Sequence, residues 1–152
     1  MRVVLVDCIF EPTTELKLFE SENANSGAIA TFMGRCRPRT SGEDVTALEL
    51  QHYPNFTEQQ ISRFVQDICC SKRLHDALVI HRVGAISPGE AIVLVACASD
   101  HRAEALAAVE TIIDFLKTDA PLWKREVTNN GAQWVEPTAL DYQRQISRIA
   151  KS

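Results

Sequence analysis

Nine consecutive residues, Ala91–Ser99 (AIVLVACAS), carry no charge and a single polar side chain, at the very end. A strand with one wet face alternates apolar and polar positions. This one does not, so it predicts a strand covered on both faces. A chain built around such a strand needs helices on either side of a sheet. The flanking sequence supplies them.

Residues 101–117 follow directly, with Ser99 or Asp100 as the predicted cap and Leu106, Val109, Ile113 and Leu116 as the inward stripe. A second helix is predicted from Thr57 and Gln60 as a capping box, with Phe56 and Ile61 as its hydrophobic staple. Its stripe is Ile61, Phe64, Val65 and Ile68. A short helix is predicted over residues 14–22. Strands are predicted over residues 2–10, 27–37, 45–53, 77–83, 122–128 and 132–136. Alternation in the 45–53 strand places Thr46, Leu48, Leu50 and His52 on one face. Asn129-Asn130-Gly131 predicts a hairpin between the last two strands. Residues 38–44 read as a loop, and residues 138–152 as a polar tail with some helical character. The mixed order predicts an α+β or α/β fold, with helices on a mostly antiparallel sheet.

At 152 residues the chain is sized for one domain, 1–152, with the part after about 137 peripheral. Hydrophobic residues are 45% and charged residues 24%, which excludes a disordered class. The net charge of −4 argues against general nucleic-acid binding, so an anion site must be a local gathering of cations. No apolar run is long enough to span a bilayer, and residues 1–15 lack a signal-peptide pattern. The expectation is a soluble, cytoplasmic protein. Five cysteines with no CxxC spacing indicate neither a disulfide framework nor a metal site.

Three places concentrate positive charge. Arg35, Arg37 and Arg39 would share one side of a strand if that strand continued through them. His101 and Arg102 begin a helix, where the dipole disfavours cations unless an anion joins them. Lys117, then Lys124 and Arg125, flank an Asp119-Ala120-Pro121 break. His101 and Lys117 lie sixteen residues apart on one helix, about 24 Å at 1.5 Å per residue. One small ligand cannot touch both. Either there are two sites, or two copies of the chain share a pocket, and the shared pocket makes one strong site from three weak clusters. Cys36 points away from Arg35 and Arg37 on an extended strand, so it is a poor nucleophile candidate. Nucleotide-loop, HExxH and GxSxG motifs are absent. Such side chains suit holding and polarising an anionic substrate, with the reactive atom brought from elsewhere.

The segments GAIATFMGRCR, LELQHYPNFTEQQI, VIHRVGAISPGEAIVLVACASDHRAEA and FLKTDAPLWKRE, with WVEP beyond, resemble the catalytic (large) subunit of molybdopterin synthase. The resemblance runs from about Gly27 to Pro137. It implies a hammerhead-type mixed sheet with packed helices and an added antiparallel hairpin subdomain. It implies a sulfurtransferase of molybdenum cofactor biosynthesis, which converts cyclic pyranopterin monophosphate (precursor Z) to molybdopterin by installing two dithiolene sulfurs. The sulfur would arrive as a thiocarboxylate on the C-terminal Gly-Gly of a small ubiquitin-like subunit. The large subunit would be a homodimer with a small subunit at each end, a heterotetramer, and would need no cofactor or metal of its own.

Residue by residue, Lys117 matches the lysine beside the incoming tail, and Lys124 the second catalytic lysine. Arg125 and Glu126 continue the substrate-lining stretch. Arg37, with Arg35 and Cys36, lines one wall. His101 and Arg102 match the pair given by the other large subunit to the substrate phosphate. Pro137-Thr138 departs from the family, in which a basic residue often follows WVE, so that one phosphate or tail contact is either missing or supplied by Arg144 or Arg39. Two rival readings stand beside the enzyme. A non-catalytic scaffold for a ubiquitin-like tail would not need all five of Lys117, Lys124, Arg37, His101 and Arg102. A small-molecule regulatory domain would leave Lys117 without a role.

Overall fold

The apolar run forms the centre of the fold. The computed structural model describes residues 1–40 and 42–149. Its elements run β1 (Arg2–Val6), α1 (Pro12–Glu22), β2 (Ala28–Arg35), β3 (Arg39–Thr40), β4 (Glu43–His52), α2 (Phe56–Lys72), β5 (Asp76–Arg82), β6 (Gly84–Ile86), β7 (Ala91–Ser99), α3 (Arg102–Thr118), β8 (Leu122–Thr128), β9 (Gly131–Val135) and α4 (Ala139–Ile149). The first sheet has strand order β1-β5-β7-β2, with β1 parallel to β5 and the other pairs antiparallel.

β7 lies inside this sheet and alternates between two cores, as its composition requires. Val93, Val95 and Cys97 face α2 and α3, joining Ile61, Val65, Ala105, Ala108, Val109, Ile112 and Leu116. Leu94, Ala96 and Ala98 face the opposite way, with Phe19 of α1. The period-2 alternation of a strand thus divides one apolar run between two layers of helix. Phe64 and Phe115 stack at 3.9 Å and join α2 to α3.

The second sheet, β3-β4-β8-β9 with β6 also on β4, is antiparallel. It is the expected hairpin subdomain, and the two sheets together give the mixed α+β class. Two short strands add to the expected set: β6, of three residues, and β3, within the 38–44 segment that reads as a loop. Gly84 turns the chain from β5 into β6 at a φ of 75°, a conformation that favours glycine.

Five local expectations are corrected. Thr57 does not cap α2. Asn55 occupies the cap position without a side-chain bond, and the Thr57 hydroxyl donates to the Pro121 carbonyl at 3.0 Å while accepting from the Tyr53 amide. Phe56 is exposed, so no staple forms around it. His101, not Ser99 or Asp100, is the α3 cap residue. Ser99 is buried and donates instead to the His101 carbonyl at 2.6 Å. Leu106 points outward, because α3 lies against the sheet through Ala105 and Ala108, whose small side chains allow close approach. In β4, a bulge between Val45 and Ala47 turns Val45 onto the same buried face as Leu48 and Leu50 and leaves Thr46 exposed. The 129–131 hairpin forms, but Gly131 alone of the three takes positive φ.

Candidate active site

The site residues fall into three groups, each fixed by its element. On β8, alternation separates neighbours. Lys124 and Glu126 pair in register with Leu50 and Leu48 and share their face. Glu126 is buried. Its carboxylate binds the Lys124 ammonium at 3.2 Å and accepts from the Thr40 hydroxyl at 3.4 Å. Lys124 is thereby tethered while remaining about a third exposed, a geometry that holds a cation in place for an anionic guest. Arg125, expected to continue the substrate-lining stretch, is on the face of β8 opposite Lys124 and Glu126. It forms an ion pair with Glu49 of β4 and lies 5.6 Å from the centre of the Trp134 ring.

The second group is the end of β2. The strand stops at Arg35 after a register shift at Gly34, so Arg35, Arg37 and Arg39 do not share a continuous strand face. The turn before β7 grips this end instead. Arg35 Nε donates to the Gly89 carbonyl at 2.9 Å, the Cys36 amide to the Glu90 carbonyl at 2.9 Å, and the Gly89 amide to the Cys36 carbonyl at 2.8 Å. Buried Arg82 clamps that turn through Glu90 at 2.7 Å, a pair that no sequence spacing announces. Cys36 is buried with Val45, Leu48, Leu50 and Ile86. Burial pushes its thiol pKa up; Lys124 partly offsets this, while Glu126 and Glu90 add to it. It is a wall residue with little thiolate character. Arg37 is exposed beside it. Arg39 is engaged within its own hairpin, with Asp44 at 3.0 Å and the Gly42 carbonyl at 3.0 Å.

The third group is α3. His101 and Arg102 are exposed at its start, and the His101 side chain makes no capping bond. Lys117 is in its last turn, where it complements the helix dipole, about 24 Å from His101. Lys117 Nζ lies 3.4 Å from Asp141 Oδ1 of α4, so the tail expected to be peripheral reaches a candidate catalytic residue. Thr138 bonds to Asp141, and with Lys117 holds that carboxyl below its usual range. The Thr138-x-x-Asp141 spacing, a capping-box pattern, is the available sequence signal for α4. The Arg144 side chain and residues 150–152 lie outside the described residues.

Two open clefts mark the surface. One, of about 320 Å³, is lined by Thr40, Glu43, Glu126, Thr128, Asn130 and neighbours on β9. Another, of about 400 Å³, is lined by Met1, Gln66, Cys69, Cys70, Arg73 and the 74–76 segment. Neither contains Lys117, Lys124, Arg37, His101 or Arg102. The first presents two carboxylates, Glu43 and Glu126, and is unsuited to an anion by itself. Within one copy, His101 and Arg102 are exposed at the start of α3, about 24 Å from Lys117, and Lys124 is about a third exposed on β8.

Comparisons with known proteins come down on one family. The chain matches the family described as MoaE protein over residues 9–119. A molybdopterin synthase catalytic subunit from Caulobacter vibrioides is 43% identical over 141 residues, 93% of this chain and 93% of that one. Among solved structures, the molybdopterin cofactor biosynthesis protein E from Burkholderia multivorans matches with a TM-score of 0.79 and 33% identity, over 97% of this chain and 95% of that one. A Helicobacter pylori structure, described as the protein–protein complex of subunits 1 and 2 of molybdopterin-converting factor, matches in fold with a TM-score of 0.73 at 20% identity, over 86% of this chain and 88% of that one.

Proposed function

The chain belongs to the MoaE protein family, as a catalytic subunit of molybdopterin synthase in molybdenum cofactor biosynthesis, and from that premise we propose how its residues carry out the sulfur transfer. The substrate is cyclic pyranopterin monophosphate. The sulfur arrives as a thiocarboxylate at the end of a small ubiquitin-like partner, for which the two-subunit Helicobacter pylori complex is a precedent in fold. Two copies of this chain form a homodimer, with a partner at each end, in the cytoplasm. No helix among the described residues is long and apolar enough to cross a membrane.

The observation that carries this reading is the length of α3, which holds His101 and Lys117 about 24 Å apart on one rigid element. A two-fold axis lets the helix start of one copy approach the helix end of the other. His101 and Arg102 of one copy then receive the phosphate, aided by amides at the start of α3. Lys117 of the other copy leaves Asp141 to meet the thiocarboxylate. Lys124, anchored by Glu126, stabilises negative charge that develops on the acyl carbon's oxygen. Arg37, with Arg35 and the backbone of Cys36, forms the wall along the substrate. Each sulfur forms a bond to a side-chain carbon of the pterin as a carbon–oxygen bond there breaks: one displaces a phosphate oxygen, opening the cyclic ester to a monoester, and the other displaces an oxygen that leaves as water. Water then cleaves the acyl–sulfur bond, leaving the tail as a carboxylate and the sulfur on the pterin. Arg125, paired with Glu49 on the far face, supports the sheet rather than touching substrate.

The test uses purified chain and thiocarboxylated partner. Lys117→Ala abolishes conversion while the dimer stays folded, and His101→Ala raises the KM for the pterin. At pterin concentrations far below that raised KM, where both parents are nearly inactive, a 1:1 mixture of the two variants, re-equilibrated, recovers about a quarter of wild-type activity at the same concentration. Half of the dimers are then mixed, and each holds one intact site of two. Activity no higher than either parent would overturn the shared site, and a near-normal rate for Lys117→Ala would overturn its catalytic role.

A further inference from the structure

We propose that His75 is a positioning residue for the phosphate end of the site, bridging Ser26 and Asp100 so that the 99–101 turn presents His101 and Arg102 in a fixed orientation. The proposal rests on the reading that those two residues receive the substrate's phosphate.

The turn needs an external support. His101 sits at the cap position of α3 in extended conformation, with φ −132° and ψ 152°, and makes no side-chain capping bond. The usual device that fixes a helix entry is therefore absent at the residue that must point at the ligand. Three separate segments take its place. The His75 ring lies between two groups, with Nδ1 2.8 Å from Ser26 Oγ and Nε2 3.1 Å from Asp100 Oδ1. In the neutral ring this fits one tautomer: Nε2–H donates to the carboxylate and Nδ1 accepts from the Ser26 hydroxyl. The His75 amide donates to the Ala98 carbonyl at 2.8 Å, and the Ser26 amide to the Asn23 carbonyl at 3.0 Å, so both ends of the bridge are anchored in backbone. Beside them Gly27 lies directly against the Asp100 carbonyl, where a Cβ would collide with the oxygen. Inside the turn, Ser99 Oγ holds the His101 carbonyl at 2.6 Å. Asp100 is thus held from the side by His75, closely approached by Gly27, and adjoins the two cations in sequence.

Asp100 is about three-quarters exposed and His75 more than a third. A contact so open to water adds little to stability. Its effect is on geometry, and a substitution that removes it leaves the fold standing, which makes the role measurable.

The experiment compares His75→Ala, His75→Gln, Ser26→Ala and His101→Ala in the dimer supplied with thiocarboxylated partner. Steady-state kinetics are read for the pterin monophosphate, with inorganic phosphate as a competitive inhibitor. His75→Ala raises both KM and the phosphate inhibition constant about tenfold with kcat within twofold, the scale of one lost hydrogen bond to a charged group. His75→Gln, whose amide keeps a donor and an acceptor, restores most of the loss. Ser26→Ala gives a smaller rise of about threefold, and thermal midpoints stay close to wild type. If His75→Ala leaves KM unchanged, or lowers the midpoint and kcat with KM unaltered, the positioning role is overturned. The His101→Ala arm separates the two claims. If it changes neither KM nor phosphate inhibition, the phosphate reading fails and the proposal with it. If it changes both while His75→Ala changes neither, only the proposal fails.

Discussion

Thr57→Val removes a hydroxyl while keeping the side chain's shape. Thr57 is wholly buried, and its Oγ1 donates to the Pro121 carbonyl and accepts from the Tyr53 amide, each at 3.0 Å. Valine leaves a carbonyl and an amide without that partner, and leaves no cavity. An unsatisfied buried group costs about 1–3 kcal/mol. The hydrogen bond from the Tyr53 amide is only part-buried, so that half falls at the low end. The sum is about 2–3 kcal/mol, a large share of the roughly 5–15 kcal/mol that holds a domain folded. For a chain of this size the melting midpoint should fall by about 5–10 °C. Thr57→Ser keeps both bonds and loses one methyl group, costing about 1 kcal/mol. Urea unfolding at equilibrium checks the order, with the slope unchanged and the midpoint moved. Serine less stable than valine, or valine within about 0.5 kcal/mol of wild type by the same extrapolation, would refute the bridge between α2 and the entrance of β8. The segment so held, Asp119 to Pro121, joins Lys117 to Lys124. The valine variant should therefore also turn over more slowly than wild type in assays run well below its melting midpoint, where it remains folded.

Two further outcomes follow from buried titratable groups. Burial pushes His81 down to about 4, although its bond to the Arg82 carbonyl opposes this. The unfolded chain takes up a proton near pH 6.5 and the folded chain only near 4, so stability is complete above 6.5 and falls as pH drops through that window. The loss is about 3 kcal/mol at 1.36 kcal/mol per unit. His81→Gln should flatten the limb between pH 6.5 and 4 in urea titrations; an unchanged limb would contradict the assignment. Cys36, with its thiol pushed up by burial and by Glu126 and Glu90, should react with iodoacetamide more slowly than exposed Cys8 and Cys70. Mass-spectrometric labelling in which Cys36 reacts first would place it in a different environment from the one described.

Legibility in the sequence depends on whether a pattern is local. The division of β7 between two cores follows from composition and a period of two, and it is legible. So is α2, whose stripe of Ile61 and Val65 is fully buried. Expectation and structure part where a tertiary partner displaces a local one. Thr57 has the type and spacing of a cap, but a carbonyl from the far side of the chain takes its hydroxyl. Leu106 has the period of a core residue, but the helix settles on its alanines. In β4, simple alternation assigns the wrong face to Thr46 because a bulge adds a residue without any mark in composition. β6 is too short for any periodicity to show.

For the site the limit is of another kind. Lys117, Lys124, Arg37, His101 and Arg102 are all readable as cations in an acidic chain, yet within one folded copy His101 and Arg102 lie about 24 Å from Lys117 along α3. Like charges gathered in a single small pocket would repel and would lose solvation before any ligand arrived. In the shared site proposed above, their distribution over two ends of a rigid helix would avoid that cost in the single chain and leave assembly and the substrate's phosphate to meet it together. Within the chain, Lys117 pairs with Asp141, Lys124 with Glu126, and Arg39 with Asp44. Each carboxylate offsets part of a cation's charge. Substituting Asp141 by Asn removes one such counter-charge with little change in size. If the carboxylate competes with the incoming tail for Lys117, that variant should bind the thiocarboxylated partner more tightly, by up to about fivefold for an exposed pair worth no more than ~1 kcal/mol. Calorimetric titration would show it. Weaker binding would mean that Asp141 holds Lys117 in its productive place instead of restraining it, and α4 would then be part of the catalytic apparatus rather than a brake on it.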